Sequence, residues 1–472
     1  MSRGTRHRFA LRDHVRRGLA LLVLLACAPA AADPMDWFGY DARAMATGGG
    51  AGGVALARSA SALHANPGAL VRATPGIGWD YVMYHPLLAI RPFPRTAGLD
   101  VPASVYDRAG NAGTLATADL PVPRGDTVLE KAHHAIIMGV VSDFGLEGFR
   151  LSTILKTPLP TLASVRFRHF DEREQALSNR LHLARFGEWD DMIFLHTGAA
   201  YRPLPWLSFG LSLKTNFLLR SRTTTVTAGA AVASITNGAA DFAVRFRPAF
   251  GLLFRPVGGL HLGLAYRLES RVQGEFTTRT VIPGEGGGVE VLSRRDPRTS
   301  LFEPHELALG VGWEGEAWGV EASGTWARWS EFRSSLRTDP GEEGARYRFG
   351  DGGSVALGGR WSYRPWAEAL AGLAFFPSPV PAQTGRTSYV DGEVLGLTAG
   401  HRFRFPLLGI PVETGLFLQA WHLVEETVRK DPARILDEDP SDAALQTNNP
   451  GYPGYRAGGW VLVTGASLRL EL

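Results

Sequence analysis

Leu260-His261-Leu262-Gly263-Leu264-Ala265-Tyr266-Arg267-Leu268-Glu269-Ser270-Arg271-Val272-Gln273 is the stretch that decides the fold. Its even positions, Leu260, Leu262, Leu264, Tyr266 and Leu268, are apolar. Its odd positions, His261, Gly263, Ala265, Arg267, Glu269, Arg271 and Gln273, are small, polar or charged. Successive side chains of a β-strand point to opposite faces, so the two sets separate. The same split recurs in 207–217, where Leu207, Phe209, Leu211 and Leu213 oppose Ser208, Gly210, Ser212, Lys214 and Asn216. In 242–254, Phe242, Val244, Phe246, Phe250 and Leu252 oppose Arg245, Arg247 and Gly251. In 460–472, Trp460, Leu462, Ala466, Leu468, Leu470 and Leu472 oppose Gly465, Ser467, Arg469 and Glu471.

A soluble sandwich also alternates, but three features favour a membrane barrel. The alternating runs reach about ten residues, whereas globular strands average roughly 5–6. The polar face mixes Gly, Ala and Ser with charge, as a lumen wall does. The connections alternate tight (near 145–148, 203–206, 256–259, 314–316 and 364–366) with long and polar (near 161–190, 220–240, 274–300, 333–350, 377–393 and 428–457). Short periplasmic turns and long external loops are the outer-membrane pattern. The strands are expected at 76–84, 133–144, 149–158, 192–202, 207–223, 241–255, 260–276, 304–313, 317–332, 353–364, 367–376, 394–405, 410–428 and 458–472. That gives an all-β fold, a transmembrane antiparallel β-barrel of about 14 strands, an even number as bacterial barrels have. Tyr201, Trp206, Trp313, Trp318, Trp361, Tyr363 and Trp366 flank the tight turns, as an interfacial aromatic girdle would.

Composition agrees. Glycine supplies 56 of 472 residues, where average usage is roughly 7%. A single cysteine, Cys27, excludes a disulfide framework and a cysteine metal cluster. Arg3, Arg6, Arg8, Arg12, Arg16 and Arg17 against Asp13 give residues 1–32 a charge of +5, so the formal +3 of the chain leaves about −2 for residues 33–472. A basic nucleic-acid surface is thereby excluded. Residues 1–32 read as a signal peptide. Arginines precede the apolar run 19–28, and Ala28-Pro29-Ala30-Ala31-Ala32 ends it, with cleavage expected after Ala32. Leu24-Leu25-Ala26-Cys27 also permits a lipoprotein reading, with Leu25 a poor fit.

Residues 33–75 do not alternate. They are rich in Gly and Ala, helical in flavour from Val54 to Leu63, and carry Trp37, Phe38, Met45, Leu63 and Leu70. Such a segment ahead of a barrel, 76–472, is expected inside the lumen as a hatch. Ser61-Ala62-Leu63 followed by Asn66-Pro67-Gly68-Ala69-Leu70 resembles the N-terminal hatch of the FadL family of outer-membrane long-chain fatty acid and hydrocarbon transporters. Trp326-Ala327-Arg328-Trp329-Ser330-Glu331-Phe332 resembles a strand end of that family. Phe376-Pro377-Ser378-Pro379-Val380-Pro381 with Tyr389-Val390-Asp391-Gly392 resembles a late loop. The chain departs from the family at Ala57-Arg58-Ser59, where an acidic pair is usual, and in the Gly-Ala after Asn66-Pro67.

The resemblance implies a fourteen-stranded barrel plugged by its hatch, an apolar lumen site and a lateral gap at a kinked third strand. Pro158 and Pro160, which cannot donate ladder hydrogen bonds, mark the candidate kink. The implied partners are a hydrophobic small molecule (fatty acid or hydrocarbon) and outer-membrane lipid of a Gram-negative cell. A monomer, no cofactor and no catalytic residue are expected. Lys156, Lys214, Arg245, Arg247 and Arg267 are candidates for attracting a ligand carboxylate. A transport-inactive barrel serving a secretion or surface-anchoring assembly is the alternative. A barrel enzyme is the third, and a buried Ser–His pair would favour it.

Other motifs carry less. Gly48, Gly50 and Gly53 spell a dinucleotide-type spacing with no preceding strand and no later acidic partner. Asp143-Phe144-Gly145 reads as a tight turn, and His133-His134 lacks a further metal ligand. Asp437, Glu438, Asp439 and Asp442 read as a solvated loop rather than a Ca²⁺ site.

Overall fold

The computed structural model describes residues 34–93, 127–159, 181–183, 193–228, 233–283, 289–332, 349–382, 384, 389–431 and 453–472. The expected leader with Cys27, then Pro160, and Asp437, Glu438, Asp439 and Asp442 lie outside the described residues.

Fourteen strands form the wall. They are β1 (Gly76–Pro92), β2 (His133–Ser142), β3 (Phe149–Leu159), β4 (Ile193–Leu204), β5 (Leu207–Ala228), β6 (Ala233–Phe254) and β7 (Leu260–Arg267), then β8 (Glu306–Glu314), β9 (Trp318–Ala327), β10 (Gly352–Arg364), β11 (Ala367–Phe376), β12 (Val394–Leu407), β13 (Ile410–Arg429) and β14 (Gly454–Glu471). Each pairs antiparallel with its sequence neighbour. The barrel closes where β1 pairs with β14 without interruption, from Gly76 opposite Glu471 to Pro92 opposite Tyr455. Closure leaves the wall no free edge, the condition lipid imposes on a sheet.

The strands differ in length from the expectation in several places; the one expected at 317–332, for instance, ends at Ala327. β1 continues past Tyr84 to Pro92. Pro86 does not stop it because pairing with β2 has ended at Tyr84 and resumes only at Leu88, through the short strand Thr127–Leu129. No ladder bond is asked of Pro86 on that side. The segments expected as loops at 220–240 and 274–300 are hairpin arms instead. β5 and β6 run on to Ala228 and Ala233, and Ser270–Pro283 pairs with Val289–Glu303. Thr223, Thr224, Thr225, Val226 and Thr227 are β-branched and favour extension. Beyond its last pair with β4 among the described residues, at Phe217, β5 pairs in parallel with Thr277–Val281. The run 260–276 is broken after Arg267. There Leu268 N–H still donates to the Pro248 carbonyl at 2.9 Å in register with β6, but Pro248 has no N–H to return, and the Leu268 carbonyl accepts from Arg247 Nε at 3.0 Å instead.

The alternation is realised as read. In β7, Leu264 and Tyr266 are exposed on the outer face, while His261, Ala265 and Arg267 are buried inside. All seven aromatics beside the tight turns are exposed, so they ring the barrel's outside rather than fill a core. The connection at Leu408-Gly409 takes positive φ at both residues (52° and 83°), the two-residue turn whose twist suits antiparallel strands.

Inside sits the N-terminal segment: α1 (Pro34–Phe38), α2 (Ala42–Ala46), α3 (Ala62–Ala65) and a 3₁₀ helix at Pro67–Arg72. The helix expected from Val54 does not form before Ala62. The Ala55 and Leu56 N–H groups donate to the Glu321 carboxylate of β9 at 2.9 and 2.8 Å, so a wall side chain holds this turn of the segment. The inward glycines are the seat. A Cβ at Gly210 would strike the Pro67 carbonyl, at Gly263 the Val54 carbonyl, at Gly358 the Thr47 carbonyl and at Gly372 the Gly48 nitrogen. The glycine excess thus lets the segment's backbone lie directly on the wall.

Candidate functional site

Asn66, Pro67, Gly68 and Ala69 lie together, fully buried, between hatch and wall. Asn66 caps the 3₁₀ helix, its Oδ1 accepting from Gly68 N–H at 2.9 Å, with Pro67 at the first helical position. Its Nδ2 donates to the Val54 carbonyl at 2.7 Å and the Leu252 carbonyl of β6 at 2.8 Å. Ser208 of β5 donates to the Gly68 carbonyl at 2.8 Å. One asparagine thereby joins two parts of the hatch to the barrel.

Wall side chains complete the seat. Gly48 N–H donates to Thr398 Oγ1 at 2.9 Å and Ala42 N–H to Asp80 Oδ1 at 2.9 Å. Gln419 Nε2 donates to the Phe38 and Met45 carbonyls at 2.7 and 2.6 Å and is itself held by Trp421 Nε1. At the turn end, ion pairs continue the attachment. Glu314 meets Arg58, Arg72 and Arg360, and Glu368 meets Arg43, Arg360 and Arg402. Burial holds Arg72 of the hatch down at about 10, with Glu314 opposing and Arg58 adding to the shift. Sequence reasoning missed Asp80, Glu321, Thr398 and Gln419. Each is a polar residue within a wall strand, a signal visible only once the hatch is known to lie against that face.

Of the candidate cations, three converge on one buried cluster. Lys214 Nζ pairs with Glu303 at 2.7 Å, and Arg247 reaches Glu303 at 3.7 Å and Glu306 at 3.2 Å. Arg267 pairs with Glu306 at 2.5 Å and donates to the His64 carbonyl of the hatch at 2.7 Å. Their charge is therefore largely balanced within the protein. Lys156 is buried with its Nζ 5.9 Å from the Phe194 ring centre. Arg245 stands apart, exposed, donating to the Val244 carbonyl at 3.2 Å. Burial, Arg267 and Lys214 together hold the His64 imidazole well below its ordinary value.

At Thr157 and Pro158, β3 still pairs with Ile136 and Ala135 of β2. On its other side the pairing with β4 runs, among the described residues, to Lys156 opposite Phe194. Pro158 thus sits just past the last β3–β4 pair among the described residues.

A buried Ser–His contact exists: His196 Nε2 lies 3.0 Å from Ser212 Oγ. Ser212, however, donates its proton to the Leu63 carbonyl at 2.7 Å. The histidine is left to donate to the hydroxyl, the reverse of what a general base does. The contact clips α3 to the wall. Among the described residues no group of three His, Cys, Asp or Glu could hold a metal.

Away from the polar contacts the interior is apolar. Trp37 lies 5.9 Å from Phe376 and 6.5 Å from Trp421, and Phe38 lies 5.5 Å from Tyr84, ring centre to ring centre. No protein-family model matches the chain, and no curated protein matches it. Solved structures do. A Pseudomonas aeruginosa FadL homologue shares 14% identity over 94% of this chain and 99% of its own, with a TM-score of 0.55. The P. putida toluene transporter TodX shares 14% over 93% and 99%, at 0.51. A TodX deltaS2S3 mutant monoaromatic hydrocarbon channel shares 14% over 93% and 100%, at 0.54. The chain has the fold of the FadL-type barrels.

Proposed function

We propose that this chain is a channel of a Gram-negative outer membrane that admits hydrophobic small molecules by passive diffusion, with long-chain fatty acids as the cargo class. The observation that carries the reading is the character of the plugged lumen. A diffusion porin keeps a polar, water-filled bore. Here Trp37, Phe38 and Met45 of the hatch pack against Phe376, Phe417, Trp421 and Val463 of the wall, all buried. Apolar cargo matches that lining, and a polar solute would have to shed water to enter it. The fold shared with proteins described as a toluene transporter and a monoaromatic hydrocarbon channel supports a hydrophobic cargo.

Release sideways into lipid requires an opening in the wall. The proposed place for it is beside Pro158, which has no N–H to donate to a neighbouring strand. Native mass spectrometry of the detergent-purified protein tests the whole reading. A bound fatty acid or hydrocarbon that exchanges with added long-chain fatty acid supports it, as does faster entry of that acid into proteoliposomes. A protein that carries no apolar adduct and leaves entry unchanged sinks it. Exchange with neutral hydrocarbon alone replaces fatty acids as the cargo class.

A further inference from the structure

At the turn end, between hatch and wall, lies a cavity of about 400 Å³. It is lined by Arg58 and Arg72 of the hatch, by Arg202 of β4, by Arg255 and His261 flanking the β6–β7 turn, and by Glu314. Four guanidinium groups therefore face one carboxylate. That carboxylate is already shared, with Arg58 at 2.5 Å and with Arg72 and Arg360 at 2.7 Å each. Among the described residues neither Arg202 nor Arg255 has a carboxylate within ion-pair distance; Arg255 donates to the Pro205 carbonyl at 2.6 Å. Two buried nitrogens of lining residues, Arg58 Nε and His261 Nδ1, have no hydrogen-bond partner among the described residues. The side chains of His261 and Arg72 are 8% and 7% exposed, and that of Arg58 is 39% exposed, so the site is reached from solvent and backed by buried donors. Burial and the neighbouring charge of Arg202 lower the Arg255 pKa from its ordinary value.

Buried donors that lack acceptors, around a cavity with surplus positive charge, are the chemistry of an oxyanion site. The arginines come from two sides, so a tetrahedral anion with several acceptor oxygens can engage both, whereas a planar carboxylate satisfies one fork. We propose that this cavity binds a phosphate group and that the bound phosphate ties the hatch, through Arg58 and Arg72, to the wall, through Arg202 and Arg255. The phosphate is either free in the periplasm or the headgroup of an inner-leaflet phospholipid. The site is independent of the uptake reading, because none of the apolar lumen residues takes part.

The test uses the full chain in detergent, titrated with inorganic phosphate and, separately, with a short-chain phosphatidylglycerol, by calorimetry. One saturable site per chain is expected for at least one probe. Arg202→Gln and Arg255→Gln, which break no ion pair, should each weaken it roughly tenfold. Unboiled gel mobility checks that both variants keep the folded barrel. Saturation by phosphate assigns the free anion, and saturation by the lipid alone assigns the headgroup. Saturating probe should also lower the leak of small polar solutes through the wild type but not through the double variant. No saturable binding of either probe, or binding that the double variant retains, overturns the site. A leak indifferent to bound probe overturns the tie between hatch and wall.

Discussion

The Oδ1 of Asn66 occupies the space that a Cβ on residue 251 would need, so the hatch and β6 fit only because residue 251 is glycine. The pair ties a hatch cap to a wall position 185 residues away in sequence, and each member is useless without the other.

Asn66→Ala should therefore loosen the hatch without unfolding the barrel. The Val54 and Leu252 carbonyls and the Gly68 N–H lose their partner, at about 1–3 kcal/mol for each buried group left unsatisfied. Gly251→Val should act in the same way by pushing the asparagine out. Liposome swelling with small polar solutes should show a raised leak for both, with unchanged heat-modifiable mobility on gels. A wild-type leak in both variants would remove Asn66 from the seat.

The two faces of β7 should fail differently. Leu264 is 37% exposed on the outer face, and Ala265 is 1% exposed, packed with Ala308 against Val54 of the hatch. Leu264→Arg places charge against lipid at about 2–4 kcal/mol near mid-bilayer. It should block assembly or lower the urea midpoint. Ala265→Arg keeps the charge inside but displaces Val54, so a folded, leaky barrel is expected. Equal folding defects would contradict the assigned faces.

Breaking the buried ion cluster should cost stability. Lys214 and Glu303 are 2% and 1% exposed and pair at 2.7 Å. Glu303→Ala leaves Lys214 and Arg247 without that carboxylate and should destabilise the barrel by roughly 3–5 kcal/mol in urea unfolding. Lys214→Met combined with Glu303→Met should recover a large part of the loss, since the pair is removed together. A double variant as unstable as the single would show that Arg247, not Lys214, is the partner that matters.

Acid should release the hatch. His64 sits well below its ordinary 6.5, held neutral by burial and by Arg267 and Lys214. A hatch out of its seat takes up the proton near that ordinary value and a seated one does not. Seat stability is thus full above about pH 6.5 and falls as the pH drops below it. The leak should rise between pH 6.5 and 5, and His64→Gln should flatten that rise. Asp36, 3.5 Å from His64 Nε2, opposes the effect, so Asp36→Asn should steepen it. An acid response unchanged in His64→Gln would assign it elsewhere.

The barrel was legible because its rule is local. A period of two, charge on one face and tight turns at regular intervals are properties of neighbouring residues, and lipid punishes any exception. So the faces of β7 and the outward aromatics at Trp313 and Trp361 follow from the chain alone. The hatch motif was legible only as a resemblance; that Asn66 caps a 3₁₀ helix opening at Pro67 is a finding of the structure.

What the sequence by itself determined is therefore the strand set, its two faces and the existence of a segment too small and apolar to lie outside. Only the tertiary structure decided which residues meet across the lumen. Glu321 holds the turn after Val54, reaching Ala55 and Leu56 from 266 and 265 positions away. Glu303 and Glu306 claim Lys214, Arg247 and Arg267, which sequence alone left as free cations for a ligand. Those pairings depend on closure, which fixes distances between strands that no local rule relates.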